Sequence, residues 1–387
     1  MTDEGKAVDQ SGLKSTLHPG GGHDQAQHPG SLLGPGGGVH VGAAGFAGIE
    51  LVRVALRHPE FELVAVTSNE LAGTPVAKEY PCFTGATDLA FSRHDDPVLD
   101  QCDVVFLAVP HTAAMAMAPR IVDRGGVVVD LSADFRLKDP AVYEQWYKVP
   151  HTQTELLKRA AFGLPELFPD DLVAAAQQRK EGKGAVVGCA GCYPTATTLA
   201  AAPAVRLGLV DDKAPIVVDA ISGVTGAGKK ATARTHFCFA NENLEAYGVA
   251  THRHTPEIEQ ILGVSDRLVF TPHLAPLNRG LLSTVNLPLA AGATRDVAKI
   301  VESYREFYRD SAFVTVLDAG VMPKTSSVVG TNCAHIGLAV NERVGMLIAV
   351  GAIDNLCKGA ANQAVQCANI VFGLPEDLGL DKVAVPV

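Results

Sequence analysis

The stretch "VHVGAAGFAGIELVRVAL", residues 39–56, decides the architecture. A short β-branched run leads into Gly42, Gly45 and Gly48 at G-x-x-G-x-x-G spacing, and a helical pattern follows. Glycines let the backbone turn tightly and approach a pyrophosphate, whose charge the free N–H groups and dipole of the helix start stabilise. By itself the loop is a weak signal, open also to the reading of a plain strand-to-helix turn. Its place at the first strand of a doubly wound sheet turns the reading toward a dinucleotide, with Gly42, Ala44, Gly45, Phe46, Ala47 and Gly48 as the binding residues.

Working outward, "FELVAVTS" (61–68), "DVVFLAVP" (103–110), "GVVVDLS" (126–132) and "GAVVGC" (184–189) are short runs apolar on both faces, separated by helix-like segments. Such runs suit a parallel sheet covered on both sides, so the fold class is α/β with a Rossmann-type domain over residues 37–191. From residue 192 to 351 the runs pair at close range, as in "HIGLAVNERVGMLIAV" (335–350) with Asn341 and Glu342 at a tight turn, which predicts an α+β domain with a mostly antiparallel sheet. The segment from 354, "DNLCKGAANQAVQCANIVFG", spaces its apolar residues as one helix stopped by Gly373, and residues 352–387 are expected to complete the first domain. Residues 1–36, rich in Gly, Pro and His, read as a disordered tail.

A formal net charge of −10 and the lack of a basic stripe argue against nucleic acid or an anionic membrane as partner. No apolar run approaches the roughly 20 residues of a membrane span, and the start "MTDEGKAVDQSG" lacks a signal-peptide core, so a cytoplasmic protein is expected. Eight scattered cysteines in this length do not form a disulfide framework.

Cys189 and Cys192 form C-x-x-C, but no second such pair exists to complete a zinc site, and no metal is expected. Cys189 ends an apolar run and reads as a small buried hydrophobe. Cys192 precedes "YPTATTL", where Pro194 and Thr195 suit the first turn of a helix. A thiol there has its pKa lowered, which makes Cys192 the nucleophile candidate. The segment "YGVATHRHTPEIEQ" (247–260) offers His252 and His254 as bases. A second glycine-rich loop, "ISGVTGAGKKAT" (221–232), supplies Ser222, Gly223, Gly226, Ala227 and Gly228 as further cofactor contacts. "DLSADFR" puts Ser132 and Arg136 beyond a strand's carboxyl end, where ligands of such sheets collect. The second strand ends "VTSNE", with Thr67 and Ser68 where an acid would bind the ribose 2′-OH, which favours NADP(H) and makes Ser68 a contact, while Glu70 nearby leaves NAD open.

Together, "GAAGFAGIEL", "VDLSADFRL", "FGLPELF", "GCYPTA", "SGVTGAGKKA", "YGVATHRHTPEIEQ", "FTPHLAPLNRGLL" and "DNLCKGAANQAVQ" resemble the N-acetyl-gamma-glutamyl-phosphate reductase family over about residues 39–372. The chain departs from the family pattern at Ala190, where a proline usually stands. The resemblance implies NADPH-dependent reduction of N-acetylglutamyl 5-phosphate to the 5-semialdehyde and phosphate in arginine biosynthesis. It further implies a homo-oligomer, dimer or tetramer, with Cys192 as catalytic thiolate and thioester carrier and His252 as base. His254, Ser132, Arg136 and Arg279 are the substrate candidates, with guanidinium suited to phosphate or carboxylate. The C-terminal helix would bring Asn355 and Lys358 near the cofactor, and N–H groups at the start of the Cys192 helix would serve the developing oxyanion. Rival readings are an aspartyl- or carrier-linked aminoadipyl-phosphate reductase and, from another class, a thiol redox sensor using both cysteines.

Overall fold

The computed structural model describes residues 38–42 and 45–386; the expected tail and Ala44 lie outside the described residues. The first sheet holds β1 (Gly38–Gly42), β2 (Glu62–Thr67), β3 (Phe91–Ser92), β4 (Cys102–Leu107), β5 (Val127–Asp130), β6 (Ala161–Gly163) and β7 (Ala185–Cys189). Their order is β3-β2-β1-β4-β5-β7-β6, and every neighbouring pair is parallel. The strand order reverses between β1 and β4, which opens a crevice at the carboxyl ends beside the glycine loop. Two strands, β3 and β6, escaped the sequence reading because they are only two and three residues long.

The helices are α1 (Phe46–Ala55), α2 (Val76–Glu79), α3 (Ala113–Val122), α4 (Pro140–Tyr147), α5 (Thr154–Arg159), α6 (Pro169–Lys180), α7 (Cys192–Arg206), α8 (Phe237–Ala240), α9 (Thr255–Leu262), α10 (Val297–Phe307) and α11 (Asn362–Phe372). Val104, Phe106, Val127 and Val129 pack against α1, α6 and α11 on one face, while Val105, Leu107 and Val128 pack against α3, α4 and α5 on the other. Burial on both faces explains why these strands are mostly apolar along their length rather than alternating. Each such side chain taken from water contributes about 1.5–3 kcal/mol.

The second sheet holds β8 (Ile216–Gly223), β9 (Glu245–Ala246), β10 (Leu268–Ala275), β11 (Leu281–Pro288), β12 (Val314–Val316), β13 (Ala334–Asn341) and β14 (Met346–Ile353) in the order β12-β13-β14-β11-β8-β10-β9. It is mostly antiparallel, with parallel pairs at β8/β10 and β12/β13. β11 alternates as a one-sided strand must: Leu281, Ser283, Val285 and Leu287 are buried and their neighbours half-exposed. The hairpin turn lies one residue beyond its expected place. Asn341 still pairs with Met346, and Glu342–Gly345 form a longer turn with Gly345 at φ 63°.

α7 joins the two halves, and all residues from Tyr193 to Ala204 are buried. The final segment is not one uniform α-helix. It opens with a π turn at Cys357–Ala361 before α11, and Gly373 ends it at φ 76° as expected. The π turn brings the backbone of Gly359 against Cys192: a Cβ on Gly359 would stand 2.7 Å from the Cys192 Cβ.

Candidate active site

β7 ends at Cys189, two residues cross over, and Cys192 is the first residue of α7. Glu257, on α9, accepts the Gly191 N–H through Oε1 at 2.8 Å. Gly191 has no room for a side chain, since a Cβ would lie 2.6 Å from His254 Nε2 and 3.0 Å from Arg136 Nη1. The crossover is therefore enclosed by His254, Arg136 and Glu257, with Gly359 on the far side of Cys192.

Two cavities meet at this point. One, of about 350 Å³, lies under the glycine loop and is lined by Gly45, Phe46, Ala47, Gly48, Thr225, Gly226, Gly228, Asn355, Arg136 and Cys192. The other, of about 360 Å³, is lined by Tyr147, Tyr193, Ala227, Tyr247, His252, Arg253 and again Cys192. Gly45 caps α1 without any side-chain hydrogen bond, and nothing stands within 4 Å of where its Cβ would be. Uncapped N–H groups facing open space of this size fit a dinucleotide pyrophosphate.

Arg136 is held from three sides. Its Nε donates to the Cys189 carbonyl at 2.6 Å, Nη2 donates to the Leu131 carbonyl at 2.7 Å, and Nη1 faces Glu257 Oε2 at 3.5 Å. Burial pushes the Glu257 carboxyl up, opposed by Arg136 and the Gly191 N–H. His252 sits in an aromatic cage of Tyr193, Tyr247 and Phe270, with ring centroids 5.4–5.6 Å away, and its Nδ1 accepts the His254 N–H at 3.2 Å. Burial, with Arg253 nearby, lowers His252 to about 4, and burial holds His254 well below 6.5, so both rings are neutral at pH 7.

The thiol departs from its expected electrostatics. Burial pushes Cys192 up to about 11, and the N–H groups of Tyr193 and of Cys192 itself, together with Arg136, recover only part of that. The helix start does supply donors, but the surrounding packing removes more solvation from the anion than they return. Cys189, by contrast, is buried within the sheet beside Gly163 and Cys367.

Several candidates stand elsewhere than the sequence suggested. Ser132 is buried, its hydroxyl donating to Asp130 Oδ2 at 2.9 Å and accepting the Asp134 N–H at 3.2 Å, so it braces its own loop. Arg279 lines a separate cavity with Glu50, Arg53 and Asp381, its fork occupied by Glu50 at 2.7 Å and Asp354 at 3.4 Å. Ser222 is buried beneath Tyr193 and donates to the Gly223 carbonyl, while Gly223 packs against the carbonyls of Leu277 and Asn278. The Ser68 hydroxyl accepts the Leu71 N–H, closing the turn after β2. Lys358 is fully buried on Glu166 at 2.6 Å and Gln366 at 2.7 Å, away from the cofactor cavity. Gly42 ends β1 against Val109, under the loop. Sequence reasoning missed His111, Tyr147, Tyr247 and Glu257, which meet Cys192 or its cavities only through the tertiary fold.

Two family models match the chain: "Semialdehyde dehydrogenase, NAD binding domain" over residues 39–175 and "Semialdehyde dehydrogenase, dimerisation domain" over 192–355. The N-acetyl-gamma-glutamyl-phosphate reductase of Desulforudis audaxviator is 46% identical over 346 residues, 88% of this chain and 96% of that protein. That of Neisseria meningitidis is 43% identical over 348 residues, 89% and 96% of the two chains. Among solved structures, aspartate semialdehyde dehydrogenase with NADP from Candida albicans superposes with TM-score 0.65 at 16% identity, covering 86% of this chain and 97% of its own. Aspartate semialdehyde dehydrogenase II from Vibrio cholerae gives 0.64 at 16%, with the same coverage. At that identity the structures speak for the fold, whereas the reductases speak for the lineage: the chain belongs to the N-acetyl-gamma-glutamyl-phosphate reductase family of semialdehyde dehydrogenases.

Proposed function

We propose that the protein reduces N-acetyl-L-glutamyl 5-phosphate to N-acetyl-L-glutamate 5-semialdehyde and phosphate with NADPH, through a thioester on Cys192, in the cytoplasm. The observation that carries this reading is the position of Cys192, the first residue of a buried helix, at the meeting of a cofactor-shaped cavity and a histidine-lined one. The bound cofactor supplies hydride; the chain supplies the rest.

The Cys192 thiol gives its proton to a histidine and its sulfur attacks the acyl carbon, expelling phosphate. Of the two histidines, His254 faces Gly191 with Nε2, and its buried Nδ1 has no hydrogen-bond partner. His252 has Nδ1 occupied by a backbone N–H, which leaves its ring proton on Nε2. The proposal therefore gives the acceptor role to His254 and makes His252 a donor on the substrate side. Arg136 keeps Nη1 toward the cavity for an anionic group of the substrate. After reduction, collapse of the thiohemiacetal returns the thiolate and releases the aldehyde.

For the cofactor, NADP(H) is favoured by a further cavity of about 230 Å³ past β2, lined by Asn69, Arg93, His94 and Arg120. Arg93 pairs there with Asp95 and Arg120 with Asp100, and a phosphate that takes over one of these guanidinium groups gives an expected preference over NAD(H) of about tenfold in kcat/KM. The open face of the second sheet, with Val269 exposed and Val217, Ile221 and Leu282 half-exposed, suits a second copy of this chain. Light scattering of the purified protein checks that a homo-oligomer forms.

The deciding assay mixes the protein with N-acetylglutamate semialdehyde, phosphate and NADP⁺ and follows NADPH absorbance. Turnover that requires phosphate supports the reading. Turnover only with aspartate semialdehyde would replace it with the neighbouring activity.

A further inference from the structure

His111 follows β4 in the segment "VPHTAAM" and has no part in the chemistry above. Four residues line both cavities: His111, Cys192, Gly226 and His254. Any atom passing from the thioester stage to the reduction stage lies between them. His111 reaches that junction from the Rossmann sheet, on the carboxyl end of a strand whose neighbours build the crevice.

The fold fixes both its backbone and its ring. Thr112, the next residue, is β-branched yet sits at φ 75°, a left-handed conformation that such residues rarely adopt. It is held there by Asp134, whose carboxylate accepts the Thr112 N–H at 2.9 Å, the Met115 N–H at 3.2 Å and the Tyr143 hydroxyl at 2.8 Å. The Ala133 N–H donates to His111 Nδ1 at 3.3 Å, and Tyr147 packs edge-on with centroids 5.2 Å apart. With Nδ1 accepting, the neutral ring carries its proton on Nε2. Burial, reinforced by Arg136 and Arg253, keeps the ring below its ordinary value.

The reaction needs such a donor. The N–H groups of Cys192 and Tyr193 at the helix start favour the anion on the cysteine sulfur, so a separate donor on the cavity side serves the oxygen. We propose that His111 is a catalytic residue whose Nε2–H donates a hydrogen bond to the oxygen on the carbon bonded to Cys192, a role that rests on the thioester chemistry proposed above. When the thiolate adds to the acyl carbon, the carbonyl π pair moves to that oxygen, and the donor stabilises the charge until phosphate leaves. The same contact serves the thiohemiacetal oxyanion until the C–S bond breaks. His111 keeps its proton throughout, so no acid or base is consumed.

The test compares wild type, His111→Ala and His111→Gln in the full-length protein, using phosphate-dependent NADP⁺ reduction by N-acetylglutamate semialdehyde. His111→Ala should lower kcat about 10²–10³-fold, the loss typical of one oxyanion donor, with KM for phosphate unchanged. NADP⁺ binding and alkylation of Cys192 by iodoacetamide should match wild type, showing an intact cleft. His111→Gln, which restores an N–H donor, should recover part of kcat. Unchanged kcat in His111→Ala overturns the role, and so does a loss confined to KM for phosphate, which would put the ring on the leaving group. A wild-type protein that turns over no acyl phosphate or semialdehyde overturns the functional reading first, and this role with it.

Discussion

Arg136 and Arg279 each meet a buried glutamate, but one region is a site and the other a brace. Arg136 has two nitrogens fixed on the carbonyls of Cys189 and Leu131 and turns the third, past Glu257, to the cavity that holds Cys192. Arg279 spends its fork on Glu50 and Asp354, and Arg53 shares the same Glu50. The difference lies in the donor left over. A guanidinium anchored by carbonyls keeps charge to offer a ligand, whereas one neutralised by two carboxylates has little left to give.

The largest effect belongs to the first region. Cys192→Ser should lower turnover by about 10⁴-fold or more while NADPH affinity stays near wild type, and Cys189→Ser should keep most activity. Equal loss in both would restore the paired-thiol reading. The thiol itself should titrate late: with a pKa near 11, its iodoacetamide rate in the unliganded protein should rise about tenfold per pH unit from 7 to 10, without a plateau. A plateau near neutrality would mean that the helix start outweighs burial after all.

Next comes Arg136 itself. Arg136→Met removes the cavity-facing charge and leaves Glu257 buried beside Gly191, so kcat/KM should fall about 10²–10³-fold, with a rise in substrate KM. For the histidines, His254→Asn should cost about 10²–10⁴-fold in kcat and His252→Asn less. The reverse order would give the acceptor role back to His252.

What was legible in the chain follows contact distance along it. The glycine loop, the parallel sheet and the placement of Cys192 at a helix start each depend on residues a few positions apart, and turn chemistry and periodicity reveal those. Ser132 reads as a ligand contact from its place after the strand, yet its hydroxyl is engaged by Asp130 and by the Asp134 N–H, its near neighbours. Glu257 reaches Gly191 across 66 residues, and Arg279 reaches Glu50 across 229, so neither pairing leaves a local signature. His111 follows β4 in a loop, with no motif around it to mark a role. Only the meeting of two cavities gives it a position that matters.

The smallest effect on activity should come from the second region, and there the signal moves to stability. Arg279→Met should leave turnover per folded molecule near wild type but lower stability by about 1–3 kcal/mol at pH 7, read from urea unfolding, because the Glu50 charge loses one of its two guanidinium partners. The pH dependence gives a sharper check. Glu50 is buried, which raises its pKa, yet Arg53 and Arg279 outweigh that and hold it below 4.5. Between the folded and unfolded values the unfolded chain binds more protons, so the stabilisation is complete above about 4.5 and is lost as pH falls through the folded value. With one partner gone, Glu50 holds its proton at higher pH and costs the variant less on acidification. The gap between wild type and Arg279→Met should therefore be widest near neutrality and close as pH drops below 4.5. A gap independent of pH would trace the loss to packing of the arginine stem rather than to its charge, while a large fall in kcat at intact stability would move Arg279 into the first region.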